Sequence, residues 1–332
     1  MISDIKSAIE REAFVDEQLD YAQKNLTEFG NAFLDDALLG ILPNDLVIIG
    51  AKSGIGKTQL ATQIAGYNVS ACKKSVVFIA LEAEPNEIEL RLRYAVEAGL
   101  YFKDQHRDRT VSVNYRNWRL GFLKQAMKKY REESIHIFLQ RYHKLHTVYR
   151  GEQYGYRELE RTFDECREFA DLIIVDHLHF LDLDGKDTHQ EISKLMKKIR
   201  NLNLHYSKPV IALAHLRKDI IGSVPALEDF LGSGDIGKVA TTAIMISKEP
   251  NGYDARNQIQ KTIISIPKSR TGALGNVVGC IDYSIKHQGY VNQYTLQRCL
   301  KHRDNEKFEA LNNDEIPDWA KRIKLPAAPA KV

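Results

Sequence analysis

Asp45-Leu-Val-Ile-Ile-Gly-Ala-Lys-Ser-Gly-Ile-Gly-Lys-Thr58 is the stretch on which the fold turns. Its first half, Leu46 to Gly50, is a short unbroken apolar run, the composition of a parallel strand covered on both faces. Its second half, Ala51 to Thr58, fits the Walker A phosphate-loop pattern, with alanine in place of the first glycine. Each residue type has a physical reason. Gly54 and Gly56 let the backbone curl so that successive N–H groups and the N-terminus of the next helix face an anion. Lys57 adds a point charge, and the Thr58 hydroxyl offers an oxygen to magnesium. Residues 59–70 read as the helix that the loop opens. Ser53, Gly54, Ile55, Gly56, Lys57, Thr58 and Gln59 are therefore the expected nucleotide-binding set, with ATP and Mg2+ as the expected cofactors.

Outward from this loop, strand and helix alternate. Val76 to Leu81 is a second apolar strand ending at Glu82, and Pro85 opens a helix carrying Ile88, Leu92 and Val96 on one side. Asp171 to Asp176 reads as a buried strand, Glu191 to Tyr206 as a helix, and Lys208 to Ala214 as another strand. Ala243 to Ile246, Thr262 to Ile266 and Val277 to Tyr283 follow as consecutive strands. The order predicts an α/β fold with a mostly parallel central sheet flanked by helices. Between residues 100 and 170 the alternation blurs into a helix around Trp118 to Arg131, a strand at Ile135 to Leu139 and a helix at Tyr156 to Phe169. The expected layout is an amphipathic N-terminal helix over 1–28, an ATPase domain over 29–300 with a helical, basic insertion at 101–170, and a polar, mobile tail over 301–332.

Candidate site groups lie at strand ends. Asp176 closes a buried strand more than a hundred residues after the loop, where a carboxylate can hold the magnesium shell from the opposite side. Glu82, at the tip of the neighbouring strand, can orient and deprotonate a water attacking a γ-phosphate. Glu84 is close enough to be confused with it. His215 follows the strand ending at Ala214, where a polar group can contact a γ-phosphate and report its loss; an ordinary loop histidine is the competing reading. Lys268 and Arg270, two apart at a strand end, should project to the same side while Ser269 faces away.

A formal charge of +3 over 332 residues gives no globally basic surface, so a nucleic-acid partner must be met locally. Residues 101–150 hold 12 Lys or Arg against 4 Asp or Glu, interleaved with Tyr115, Trp118, Tyr130 and Tyr142. That mixture suits nucleic acid, a partner protein or a solvated helical surface, and the last is the preferred reading. The four cysteines are scattered without a CxxC pair, which argues against a zinc site and a disulfide framework, and reads as buried thiols. No apolar run has the length of a membrane span and no signal peptide opens the chain, so a cytoplasmic location without a membrane partner is expected.

Assembled in order, these segments resemble the RecA-like motor domain of the DnaB-type replicative hexameric helicases. The likeness runs from about residue 29 to 295 and is carried by the following segments. Asp45 to Ala51 precedes the loop, Phe78-Ile-Ala-Leu-Glu-Ala-Glu84 and Leu90-Arg-Leu92 follow it, and Leu172-Ile-Ile-Val-Asp-His-Leu-His-Phe180, Gln190 to Ser193 and Pro209 to Ala214 continue the series. Ser233-Gly-Asp-Ile236 and Lys268-Ser-Arg-Thr-Gly272 complete it. The resemblance implies that Glu82 is the catalytic glutamate, Asp176 the Walker B aspartate, Arg270 an arginine finger reaching the ATP of a neighbouring subunit, and Lys268 its companion. It places the insertion on the outside of the motor. It implies pore loops around Asp182 to His189 and Arg217 to Gly232, with Lys186, Arg217 and Lys218 as DNA-binding candidates. The N-terminal helix is similar to the linker helix that grips an adjacent subunit, packing on its own core being the alternative. At His215 the chain resembles phage and mitochondrial members, where bacterial DnaB proteins carry glutamine. A core standing nearly alone leaves no room for a collar or primase domain and suggests a phage or mobile element. The implied function is a homo-oligomeric, hexameric-ring helicase that translocates on single-stranded DNA during replication, with a loader or other replication proteins as partners. The alternative is a RecA-like DNA-binding ATPase that switches an assembly in recombination, replication or defence without unwinding.

Overall fold

A computed structural model describes residues 7–182, 188–217, 224–231, 235–270, 274, 276–302 and 305–321. Ten strands form one sheet: β1 Leu46–Ala51, β2 Val76–Ala80, β3 Leu145–Tyr149, β4 Leu172–Asp176, β5 Val210–His215, β6 Thr242–Asp254, β7 Ile259–Lys268, β8 Val277–Ser284, β9 Gly289–His302 and β10 Asn305–Ala310. Their spatial order is β10-β9-β8-β7-β6-β1-β5-β4-β2-β3. From β6 to β3 all neighbours are parallel, and from β6 to β10 all are antiparallel. The phosphate-loop strand β1 lies between β5 and β6, in register Ile48↔Ala212 and Ile48↔Ala243.

Successive residues of β1 point to opposite faces, and both faces are covered. Leu46 and Ile48 pack with Leu159, Phe163, Ile192, Met196 and Ile199 from helices Tyr156–Cys166 and Thr188–Tyr206. Val47 and Ile49 pack with Phe33, Leu60, Ile64, Ile88 and Leu92 from helices Ala32–Leu38, Lys57–Ser70 and Glu87–Lys103. This three-layer arrangement fixes β1, β2, β4 and β5 so that their C-terminal ends open on one edge.

The insertion corrects the sequence reading. Ile135 to Leu139 is no strand; it lies within helix Arg131–Tyr142, whose buried Ser134 and packed Phe138 and Tyr142 recur every four residues. The edge strand falls later, at β3, where Leu-His-Thr-Val-Tyr is too polar to announce itself. The expected helix at Trp118 to Arg131 is a short turn of helix at Tyr115–Arg119 and a single 3-10 turn at Lys128–Tyr130. The aromatic residues there are spent on packing: Tyr94, Tyr101, Val113, Leu123, Met127 and Tyr130 make a small core, flanked by Tyr115 and Trp118. Tyr142 packs on the main core, so none of the four aromatics singled out is laid open in a row for bases.

Both ends differ from expectation. The N-terminal stretch is two helices, Ala8–Glu12 and Val15–Asn25, neither with a buried residue. They lie over their own body beside Leu42, Pro43, Ser207 and Arg270, while Ile9, Phe14, Leu19 and Tyr21 stay exposed. The stretch after Lys301 is not tail throughout, because β10 pairs with β9 and Trp319 packs edge-on against Phe33 at 6.1 Å. Of the four thiols, all free, Cys166 and Cys299 are buried and Cys72 and Cys280 are half-buried. No helix among the described residues is long and apolar enough to cross a membrane.

Candidate functional site

At the C-terminal edge of the parallel strands lies a cleft of about 620 Å3. Ser53 to Gln59, Glu82, Asp176 and His215 all line it, so three strand ends and one loop deliver the expected groups to one place. Gly54 and Gly56 have φ of 73° and 114°, the left-handed region that glycine enters without strain. A Cβ on Gly56 would also stand 2.8 Å from the Tyr290 hydroxyl, which donates to the Gly56 carbonyl at 3.4 Å. Helix Lys57–Ser70 starts directly behind, aiming its free N–H groups into the cleft.

The antiparallel side of the sheet supplies the opposite wall. Tyr253 pairs with Gln260 and Gln260 with Tyr283, making a row across β6, β7 and β8 that faces the cleft together with Lys248, Thr262 and Ile285. Sequence reading missed these residues, since no local pattern marks them. It quoted Arg91 within Leu90-Arg-Leu92 but gave it no role, although this residue lines the cleft, donates to Gln59 Oε1 at 2.9 Å, pairs with Glu87 at 2.5 Å and lies over the Tyr115 ring. The neighbouring Arg119 pairs with Glu84, so the insertion braces the loop that follows Glu82.

A hairpin ties that wall to the phosphate loop. Gln63 Nε2 donates to the Tyr290 carbonyl at 3.0 Å while the Tyr290 N–H donates to Gln63 Oε1 at 2.8 Å. Gln59 Nε2 donates to the Gln288 carbonyl. The start of the loop helix is thus pinned to the β8–β9 turn from two side chains.

Burial dominates the electrostatics. Asp176 is fully buried and neither carboxylate oxygen has a hydrogen-bond partner among the described residues. Burial, seconded by the charge of Glu82, pushes its pKa up to about 6 against a weaker pull from Thr58, Lys57 and Arg91. The Thr58 hydroxyl is near enough to favour the charged form without completing a well-formed hydrogen bond. A buried, unpaired carboxylate is costly, and a divalent cation shared with a nearby hydroxyl removes the cost, so this pair fits Mg2+. Lys57 is held below its ordinary pKa, mainly by burial, with Asp176 and Glu82 opposing. Its Nζ lies 3.0 Å from His215 Nδ1. Burial and then Lys57 pull His215 down to about 4, which leaves it a neutral acceptor for the ammonium.

The remaining candidates lie elsewhere. Arg270 is exposed beyond β7 and lines a separate groove under the N-terminal helices, near Arg200. Lys268 does not project beside it as the spacing suggested. Its ammonium turns inward and donates to the Gly237 and Lys238 carbonyls, each at 2.8 Å, because the C-terminus of helix Asp235–Val239 offers unpaired acceptors. Arg217 is exposed just past His215, and its N–H donates to the Asp229 carbonyl at 2.8 Å. Lys186 and Lys218 lie outside the described residues.

A family model described as the DnaB-like helicase C terminal domain matches residues 27–288. Replicative DNA helicase DnaC of Bacillus subtilis (strain 168) is 25% identical over 275 residues, covering 79% of this chain and 56% of that protein. The chain therefore spans about half the length of the curated relatives it matches. Among solved structures, the ATPase domain of G40P aligns with a TM-score of 0.69 at 18% identity, covering 87% of this chain and 100% of that one. A DnaB-like replicative helicase, studied with its interactions with primase, aligns with a TM-score of 0.62 at 20% identity, covering 87% of this chain and 68% of that one.

Proposed function

This chain belongs to the DnaB-like helicase C-terminal domain family, and from that premise we propose that it is an ATP-driven, ring-forming motor that translocates on single-stranded DNA and separates a duplex during replication. One observation carries the reading. Lys57, Thr58, Glu82, Asp176 and His215 converge on a single cleft, while Arg270 stands on a different face of the same chain. A site that holds every group for hydrolysis but one, with a guanidinium displayed elsewhere, suits a neighbour completing it in a ring.

In this mechanism the loop N–H groups and Lys57 hold the phosphates, and Glu82 orients and deprotonates the attacking water. Asp176 and Thr58 are the residues that would hold Mg2+, which when bound would neutralise charge on the phosphate oxygens. Lys57 has two partners to choose between. Without a phosphate it donates to His215; with one, it turns away and frees His215 to meet the γ-phosphate, so the histidine reports nucleotide state. The row of Tyr253, Gln260 and Tyr283 offers the nucleoside an apolar and polar wall. Arg217, two residues past His215, is exposed to meet phosphates of the strand, with Lys186 and Lys218 as its companions. The apolar side chains left exposed on the N-terminal helices, Ile9 and Leu19 above all, suit a grip on the next subunit, and replication proteins such as a loader are the fitting partners.

The test is ATP-dependent unwinding of forked duplexes by the full chain, with its mass measured in the presence of nucleotide. Strand displacement by a ring is expected. Displacement on no fork, together with stable filaments or joint molecules, would favour the switch-like alternative.

A further inference from the structure

Glu82, His177 and His215 each offer one ligand atom, and the three atoms lie within 4.8 Å of one another. We infer that they form a second cation site, for a borderline divalent ion of the zinc class, beside the place that Asp176 and Thr58 offer to magnesium. His177 is wholly buried, and its Nε2 meets no hydrogen-bond partner among the described residues. Its Nδ1 receives only a long contact of 3.4 Å from the His179 N–H, and its ring stacks on His215 with centroids 3.8 Å apart. A buried ring nitrogen left without a partner needs an explanation, and a metal supplies one in the tautomer that carries the ring proton on Nδ1, at the expense of the long His179 contact. His179 is excluded from the set, since its Nε2 is paired with the Leu231 carbonyl at 2.9 Å.

The donor chemistry selects the ion. Two imidazoles and a carboxylate are the ligands of three-protein-ligand zinc centres, whereas Mg2+ prefers an all-oxygen shell. A tetrahedral zinc with bonds of about 2.0–2.1 Å needs donors roughly 3.4 Å apart, so closure asks the exposed Glu82 side chain to rotate and the stacked His177 and His215 rings to part from their 3.8 Å centroid separation. Lys57 competes for His215: its ammonium sits 3.0 Å from His215 Nδ1, where its positive charge opposes a dication on the same ring. The site therefore strengthens whenever Lys57 is drawn away. Bound metal takes the carboxylate lone pair of Glu82, so under the proposed helicase reading it acts as a brake on hydrolysis; the binding itself does not depend on that reading.

The test uses the full chain, free of nucleotide and DNA, titrated with Co2+ as a visible-absorbing stand-in for Zn2+. One Co2+ per chain with nitrogen-and-oxygen ligand-field bands is expected, displaced by Zn2+ but not by excess Mg2+. Glu82→Gln should weaken binding about ten-fold or more, and Lys57→Met should tighten it several-fold. Glu82 is exposed, so its variant keeps the fold, whereas His177→Ala serves as a third arm only if circular dichroism matches the parent. No ligand-field band, displacement by Mg2+, or an unchanged affinity in Glu82→Gln overturns the site. An unchanged affinity in Lys57→Met overturns the competition. Since neither ATP nor DNA enters the measurement, its failure and that of the helicase reading are separable.

Discussion

In β1 and β4 every residue is buried, whereas β8, in the other half of the same sheet, mixes buried with half-buried positions along its length. The first pattern comes from strands covered by helices on both faces, the second from antiparallel strands with one face open. Chemistry divides along the same line. In the parallel half all strands end at one edge, so a residue placed just after a strand reaches the cleft by topology alone; Lys57, Glu82, Asp176 and His215 arrive this way. In the antiparallel half a residue reaches the cleft through register, as the row Tyr253, Gln260, Tyr283 does. Arg270, at the far end of β7, does not reach it at all within its own chain.

The largest effect should come from setting the halves against each other. Under the proposed ring, Glu82→Gln should disable the parallel half and Arg270→Ala the antiparallel half, each lowering kcat by about a thousand-fold or more. Mixed rings should recover part of the ATPase activity, because some interfaces then pair an intact Glu82 with an intact Arg270. Mixtures as inert as either parent would break the division.

A second effect concerns the cost of the parallel half's burial. The Asp176 carboxyl is held at about 6, above the ordinary 3.8, so the fold binds that proton more tightly than the unfolded chain does. The nucleotide-free fold thus carries the full penalty above about pH 6, sheds it as the pH falls from there toward 3.8, and is free of it below 3.8. Asp176→Asn should raise the unfolding free energy at pH 8 by roughly 1–3 kcal/mol, the gain fading toward acid, while hydrolysis is lost. His177 and His215, pulled down by burial, impose the opposite slope on both proteins, and the difference isolates the aspartate. Denaturant melts at the two pH values decide it, and no gain at pH 8 would mean that the carboxylate is already satisfied.

The smallest effect sharpens the wall. Tyr283→Ala should raise the KM for ATP about ten-fold, within the 1–3 kcal/mol range of base–aromatic stacking, and change kcat less than about two-fold. A loss confined to kcat would give the antiparallel half a part in the chemistry.

This division also explains what could be read beforehand. The phosphate loop, the strand ending at Asp176 and the strand ending before His215 announce themselves because continuous apolar runs precede them. Ile135 to Leu139 misled because Ile-His-Ile-Phe alternates like a strand, although the helix is set by Ser134, Phe138 and Tyr142. β3 and β10 lie at the sheet's two edges, where half-exposed strands carry polar residues that hide the pattern. The role of Arg91 and the tyrosine row escaped because three-dimensional pairing, not spacing, brings them in. Lys268 escaped because a helix end elsewhere in the chain claims its ammonium.

The paired amides of Gln63 and Tyr290, with Gln59 held at Gln288, make the phosphate cradle and the β8–β9 hairpin a single rigid lever. Tension applied to the outer strands is delivered to the atoms that would clasp an anion, and an anion clasped there stiffens the outer strands in return. The far edge of the sheet is in that sense the handle of the nucleotide site.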